Sequence, residues 1–356
     1  MPTSPPRAHL DDRALTVLTA VVRLNLETGR PVSSGLVERG MQRAVSSATV
    51  RGVMKRLEDA GYLEQPHTSA GRLPTDAGYR VYVDHLLGGW ALRRHDAPAG
   101  LGEQVRQGVR RAAGSQDRLK LLAGLMARLT DSLSIVAGPT LAEATVRRVE
   151  CYRRGGGRVL MVVLLDEAAV RTGVVTLPDD PPEQVVAAAG RLLSERVAGR
   201  TLSEATVALP DAVDLVDTPV TRCAARLARA GRELLRGTEA GEIQFDGVAS
   251  VVGAPEFQEP APLRALLRFL ESSTTMRETL QQLGERTADG FGVWIGRENP
   301  VDSLRCFTVM TRRIPLDGRM GMIAILGPRR MPYLRALHGL DALRRELGAP
   351  DASPLH

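Results

Sequence analysis

The sequence predicts an α+β protein of more than one domain, and three observations carry that expectation. The chain has 356 residues, more than one ordinary domain holds. Residues 1–90 read as helices closed by a short hairpin, with a cap signal ahead of each helix. Beyond residue 115, strand-like runs give way to helical periods and then return as strands.

The bulk composition bounds the rest. With 43% apolar and 25% charged residues the chain can bury sizeable cores and is not globally disordered. A net charge of +6 leans towards a polyanionic partner without naming one. Of the 47 basic residues all but Lys55 and Lys120 are arginine, a bias of genomic composition before function. Cys151, Cys223 and Cys306 are scattered and odd in number, which argues against disulfide or zinc frameworks and for thiols in a reducing compartment. The N-terminus lacks an apolar signal region, and the aliphatic run Val159–Leu165 is far shorter than the roughly 20 residues a membrane helix needs. The expectation is a soluble, cytoplasmic protein.

In the head, Asp11 or Asp12 can cap a helix that places Leu15, Leu18 and Val22 on one face and ends near Gly29. Ser33 or Ser34 can cap a short second helix reaching about Arg39. Ser46 or Ser47 caps a third, in which Val50, Val53, Met54 and Leu57 follow the i, i+3, i+4, i+7 pattern of a buried stripe. The opposite face then carries Thr49, Arg51, Gly52, Lys55 and Arg56. From Arg39 to Leu57 there are five basic residues (Arg39, Arg43, Arg51, Lys55, Arg56) and no acid. The first turn of a recognition helix meets base edges and later basic residues meet phosphates. Thr49, Arg51 and Gly52 are therefore candidates for the groove and Lys55 and Arg56 for the backbone, with Arg43 and Ser47 also counted among the DNA-binding residues.

After Gly61 comes a short strand-like run, Tyr62–Gln65, then the polar loop Pro66–Arg72 and Leu73-Pro74. That order matches the hairpin wing of a winged helix-turn-helix. No acid occurs from Gln65 to Thr75, and His67, Thr68, Ser69 and Arg72 could all donate to phosphate. Thr75 caps a further helix whose Tyr79, Tyr82, Val83, Leu86 and Leu87 share a side.

Residues 91–114 read as a linker with a modest helix, and a longer helix is expected from Ser115 to Gly138, with Leu119, Leu122, Met126, Leu129, Leu133 and Val136 in register. Three strands are expected at Thr145–Tyr152, Arg158–Leu165 and Val170–Leu177, turned by Gly155-Gly156-Gly157 and Asp166-Glu167. Helices follow at 182–198, 218–235, 261–271 and 275–286. Strands return at Phe291–Ile295, Leu304–Arg312 and Arg319–Leu326, the last two joined by an Asp317-Gly318 turn, before a final helix over Met331–Leu347. One sheet interrupted by a helical insertion and two consecutive α+β domains both satisfy this order.

No catalytic constellation emerges. His9, His67, His85, His95, His338 and His356 have no ligand partner at helical spacing, and no Walker, zincin or nucleophile-elbow pattern occurs. Asp179-Asp180 reads as a solvated turn. No enzyme, metal or cofactor is expected.

The runs TGRPVSS and VSSATVRGVMKRLEDAGYLEQPHTSAGRLPTDAGYRVYVDHLL resemble the N-terminal head of the heat-inducible transcription repressors of the HrcA type. The C-terminal run IGRENPVDSLRCFTVMTRRIPLDGRMGMIAILGPRRMPYLRAL resembles that family's closing segment. Where the family usually carries Asn in the third helix, this chain has Gly52. The resemblance implies a winged helix-turn-helix at 1–90, a linker at 91–114, a GAF-like α/β domain at 115–178 and 246–356, and an inserted helical dimerisation subdomain at 179–245. It also implies a homodimer on double-stranded DNA carrying the inverted-repeat operator called CIRCE, relief of repression on heat shock, and a GroEL-type chaperonin as partner. The alternatives from the residues alone are a regulator whose GAF-like domain senses a small ligand, and a winged helix that binds protein or RNA.

Overall fold

The computed structural model describes residues 10–41, 45–66, 71–89, 97–113, 115, 117–139, 141, 144–166, 170–209, 217–239, 241–253, 260–287, 291–316 and 318–348. Of the expected contact residues, Arg43, His67, Thr68 and Ser69 lie outside these. The chain divides into two units. One comprises Met1–Val136, Ile243–Ile314 and Met322–His356, and the other Ala137–Glu242 with the hairpin tip Pro315–Gly321.

The first unit begins with α1 (Asp12–Thr28), whose N-terminus is capped by the Asp11 carboxylate accepting from the Ala14 N–H at 2.6 Å. Gly29 ends it in the left-handed conformation, which costs glycine nothing. Ser33 caps α2 (Ser34–Gly40), and Ser46 caps α3 (Ser47–Asp59). Val50, Val53, Met54 and Leu57 of α3 are all buried, as their spacing requires. Strands β1 (Leu63–Glu64) and β2 (Leu73–Pro74) form an antiparallel ladder, and Thr75 caps α4 (Asp76–Gly88).

The remainder of this unit is built on a sheet in the order β7-β3-β10-β9-β8, where β3 is Leu133–Ala137, β7 Ile243–Asp246, β8 Phe291–Ile295, β9 Phe307–Leu316 and β10 Arg319–Pro328. Helices α5 (Leu101–Ala112), α6 (Arg118–Thr130) and α13 (Tyr333–Gly348) pack together. Helix α5 buries Leu101, Val105 and Ala112, so this part of the expected linker is docked structure. Short α10 (Val248–Val252) leads to the pair α11 (Pro260–Glu271) and α12 (Ser273–Glu285).

Two expectations are corrected here. The helix expected through Gly138 stops at Thr130. Asp131 sits in the left-handed region with φ of 47°, and the chain re-emerges as β3. Leu133 and Val136 fit a helical period, but they belong to a strand whose Leu133–Val136 are all buried, so both sheet faces are covered. The second correction concerns the sheet. The strands over 145–177 do not join the C-terminal strands. They form a sheet of their own within the second unit, together with the helices of residues 183–239.

In that second unit, β4 (Val146–Gly155), β5 (Arg158–Leu165) and β6 (Val170–Thr176) form an antiparallel meander. Gly155, Gly156 and Gly157 all have positive φ, and this gives the tight β4–β5 turn. Helices α7 (Glu183–Val197), α8 (Leu202–Ala208) and α9 (Pro219–Glu239) supply Val186, Ala189, Leu193, Ala205, Leu227 and Ala228 to a core with Val149, Val159, Met161, Val163 and Val175. Cys151 lies in this core, and burial pushes its thiol up to about 12. Asp179 and Asp180 are paired with Arg226 and Arg153.

Candidate nucleic-acid interface

The exposed side of α3 is built from its first turn upward. Ser46 Oγ accepts the Thr49 N–H at 3.3 Å and lies 2.9 Å from the Thr49 hydroxyl, so the helix start is held by its own side chains. Ser47 is half-buried, and its hydroxyl lies 3.2 Å from that of Ser34 on α2. Thr49, Arg51, Gly52, Lys55 and Arg56 all lie on the exposed face, as expected. A Cβ added at Gly52 would meet nothing within 4 Å, so the helix carries an open notch there.

The four basic side chains expected at the interface and described in the structure differ in their engagement. Among the described residues no ion pair engages Arg51. Lys55 is bound to Asp59 at 3.0 Å and to Glu58 at 3.4 Å, and Arg56 lies 3.6 Å from Asp11. Those two side chains are more than half exposed, and solvent screens exposed pairs of this kind, so a phosphate can displace them.

Arg72 is different. Its side chain is only 14% exposed, and both its Nε (3.2 Å) and Nη2 (3.0 Å) donate to one oxygen of Glu58. The Arg72 guanidinium holds the Glu58 carboxyl below its usual range, with Lys55 adding to the effect. The backbone is also committed, because Val32 and Arg72 exchange two hydrogen bonds of 2.9 Å each. At Gly71 a Cβ would sit 2.5 Å from the Val32 carbonyl carbon and oxygen, so only glycine permits this approach. Glu58 is the residue that sequence reasoning missed. Its signal was available: it is the first acid after the acid-free run Arg39–Leu57.

Helix α4 joins this helical head to the rest of the unit. Arg80 pairs with Glu298 and Asp84, and Asp76 lies 2.8 Å from Arg329 Nε in an ion pair and accepts from the Arg297 N–H at 3.1 Å. The rings of Tyr79 and Tyr82 lie 6.2 and 6.3 Å from that of Tyr333, which is fully buried. The Tyr79 hydroxyl donates to Asn25 of α1 at 2.6 Å.

A helical head that presents an arginine outside any ion pair among the described residues, beside an α/β body, is an arrangement that suits a transcription regulator, and the comparisons with known proteins give that class. The model of the HrcA protein C terminal domain family matches residues 116–337. The heat-inducible transcription repressor HrcA of Symbiobacterium thermophilum is 31% identical over 348 residues, covering 95% of this chain and 98% of that protein. That of Caldanaerobacter subterraneus is 30% identical over 341 residues, covering 95% and 96% respectively. The chain belongs to the HrcA family of heat-inducible transcription repressors. A crystal structure described only as that of a hypothetical protein shares the fold, with a TM-score of 0.62 and 24% identity over 95% of this chain and 97% of that one. Among the described residues no helix is long and apolar enough to cross a membrane.

Proposed function

We propose that the chain represses heat-shock chaperone operons by binding a CIRCE-type inverted repeat as a homodimer, and that heat relieves repression through the availability of a GroEL-type chaperonin. Residues 1–90 are the winged helix-turn-helix, with α3 as recognition helix and the β1–β2 ladder as the base of the wing. The observation that carries this reading is Arg51, exposed beside Thr49 and Gly52 on a helix face that is acid-free through Leu57. Ser47, Thr49, Arg51 and Gly52 face the groove, Lys55, Arg56 and Arg43 the phosphates, and His67, Thr68 and Ser69 extend the contact through the wing. Arg72 contributes from the base of that wing.

The five-stranded sheet and its helices are the GAF-like body, and residues 137–242 are the inserted dimerisation unit. Support for the dimer comes from β5, which is apolar on both faces. Val159, Met161, Val163 and Leu165 point into the core, while Leu160, Val162 and Leu164 are only half-buried. Register places Val174, Thr172 and Val170 of β6 and Tyr152, Glu150 and Arg148 of β4 beside those three. Val174 is 62%, Tyr152 49% and Val170 44% exposed. A strand apolar on both sides is the pattern of a sheet covered on both sides, and a second copy of the same face supplies the cover. A single head reads too few base pairs for selectivity, since each mismatch is worth only about 1–3 kcal/mol. Two heads on one dimer read both halves of an inverted repeat.

The deciding experiment is a footprint and mobility shift on the chain's own promoter and on a chaperonin promoter. Arg51→Ala lowers operator affinity and narrows the gap between operator and scrambled duplex. Equal binding of both duplexes by the unaltered protein, with or without a chaperonin, sinks the proposal. The small-effector reading draws no support from the relatives, which are heat-inducible repressors by name.

A further inference from the structure

We propose that Glu58 and Arg72 are a positioning pair for DNA binding. Arg72 acts through the carboxylate of the recognition helix, setting the wing against that helix, and does not itself meet phosphate. The inference rests on the DNA-binding reading above and assigns one acidic and one basic residue of that interface.

Three observations converge on it. The first is geometric. Both Nε and Nη2 of Arg72 are spent on one oxygen of Glu58, and the side chain is 14% exposed, so its fork of donors is turned away from solvent. The second is backbone connectivity. The return of the wing is stapled to the α1–α2 connection by the paired Val32–Arg72 hydrogen bonds, and Gly71 lets the two backbones meet. With Glu58 on the other side, residues 71–72 are held from two directions. The third is electrostatic. An acid beside a phosphate-binding surface repels the ligand, and the runs Arg39–Leu57 and Gln65–Thr75 contain none. Glu58 stands at the end of the first run and meets Arg72 and Lys55 on a single oxygen. Its charge is absorbed inside the head, where it holds the wing.

The two possible roles of Arg72 differ in sign at Glu58. If Arg72 were a phosphate contact, Glu58→Gln would remove a repelling charge, release the guanidinium and tighten binding. If the pair orders the wing, the same change weakens binding even though it makes the surface more positive. The test compares full-length wild type, Glu58→Gln, Arg72→Gln, the double variant and Arg72→Lys. Mobility shifts use an inverted-repeat operator duplex and a scrambled duplex at two salt concentrations, far below the unfolding temperatures measured on the same samples. The positioning role predicts a loss of about 10-fold in operator affinity for each single Gln variant, with the double variant no worse than the weaker single. Arg72→Lys recovers only part of the loss, because an ammonium lacks the guanidinium fork.

Tighter binding by Glu58→Gln together with weaker binding by Arg72→Gln overturns the proposal in favour of direct contact. Lower unfolding temperatures with unchanged operator affinity also overturn it, because the pair would then serve stability alone. If wild type does not distinguish operator from scrambled duplex, the DNA-binding reading itself fails and the inference falls with it.

Discussion

Arg80 and Glu298, 218 positions apart in sequence, form a two-pronged ion pair that fastens α4 of the head to the turn after β8. Arg80 Nε donates to Glu298 Oε1 at 2.8 Å, and the other carboxylate oxygen also accepts the Ile295 N–H at 2.8 Å. The side chains are 25% and 34% exposed, so removing one partner strands a partly desolvated charge. Glu298→Ala is expected to cost about 1–3 kcal/mol of stability in urea unfolding. A double-mutant cycle with Arg80→Ala is expected to show coupling of at least about 0.5 kcal/mol. Strict additivity would show that the pair carries no energy of its own.

Gly52 offers the opposite case, a position where adding atoms helps the fold. Its added Cβ meets nothing within 4 Å, and glycine inside a helix costs about 1 kcal/mol relative to alanine. Gly52→Ala therefore raises the unfolding midpoint. Gly52→Asn adds an amide able to hydrogen-bond a base edge and is expected to change operator preference more than stability, measured as affinity across single-base operator variants.

The Glu58 carboxyl is held below its usual range in the folded head, chiefly by the hydrogen bond from Arg72. A group with a depressed folded value contributes stability that is present above its unfolded value, about 4.3, and is lost as the pH falls through the folded one. The stability difference between wild type and Glu58→Gln is thus constant from pH 7 to about pH 5 and shrinks towards zero below the unfolded value. Scanning calorimetry at several pH values checks this, and a difference that grows on acidification contradicts the pairing.

Val174 stands opposite Leu160 on the open face of the second unit and is 62% exposed. Val174→Asp leaves the core beneath β5 intact and places a charge in the proposed dimer contact. Sedimentation equilibrium is expected to fall from twice the 38.4 kDa chain mass towards the monomer. A variant that stays dimeric at micromolar concentration moves the contact elsewhere.

What was legible in the sequence was local. The cap at Ser46 or Ser47 and the stripe Val50, Val53, Met54 and Leu57 depend on residues within two turns of one another, and the structure caps α3 with Ser46 and buries that stripe. The end of α6 was missed because Leu133 and Val136 continue a helical period, while the break rests on the backbone conformation of Asp131. The run Val159–Leu165 was plain as an apolar segment, but its two-sided character needed the register with β4 and β6. Arg72 looked like any wing arginine until the fold brought it to Glu58, 14 residues earlier, and nothing local announces Arg80 and Glu298.

The tight approach at Gly71 carries over into genetics. A side chain there meets the Val32 backbone at 2.5 Å, and the obstructing atoms are main chain, which cannot rotate aside. A selection for cells that have lost repression is therefore expected to collect substitutions at Gly71 as readily as at Arg51. Such alleles would produce a full-length repressor with its α3 face unaltered in sequence, silenced by one methyl group against the Val32 backbone.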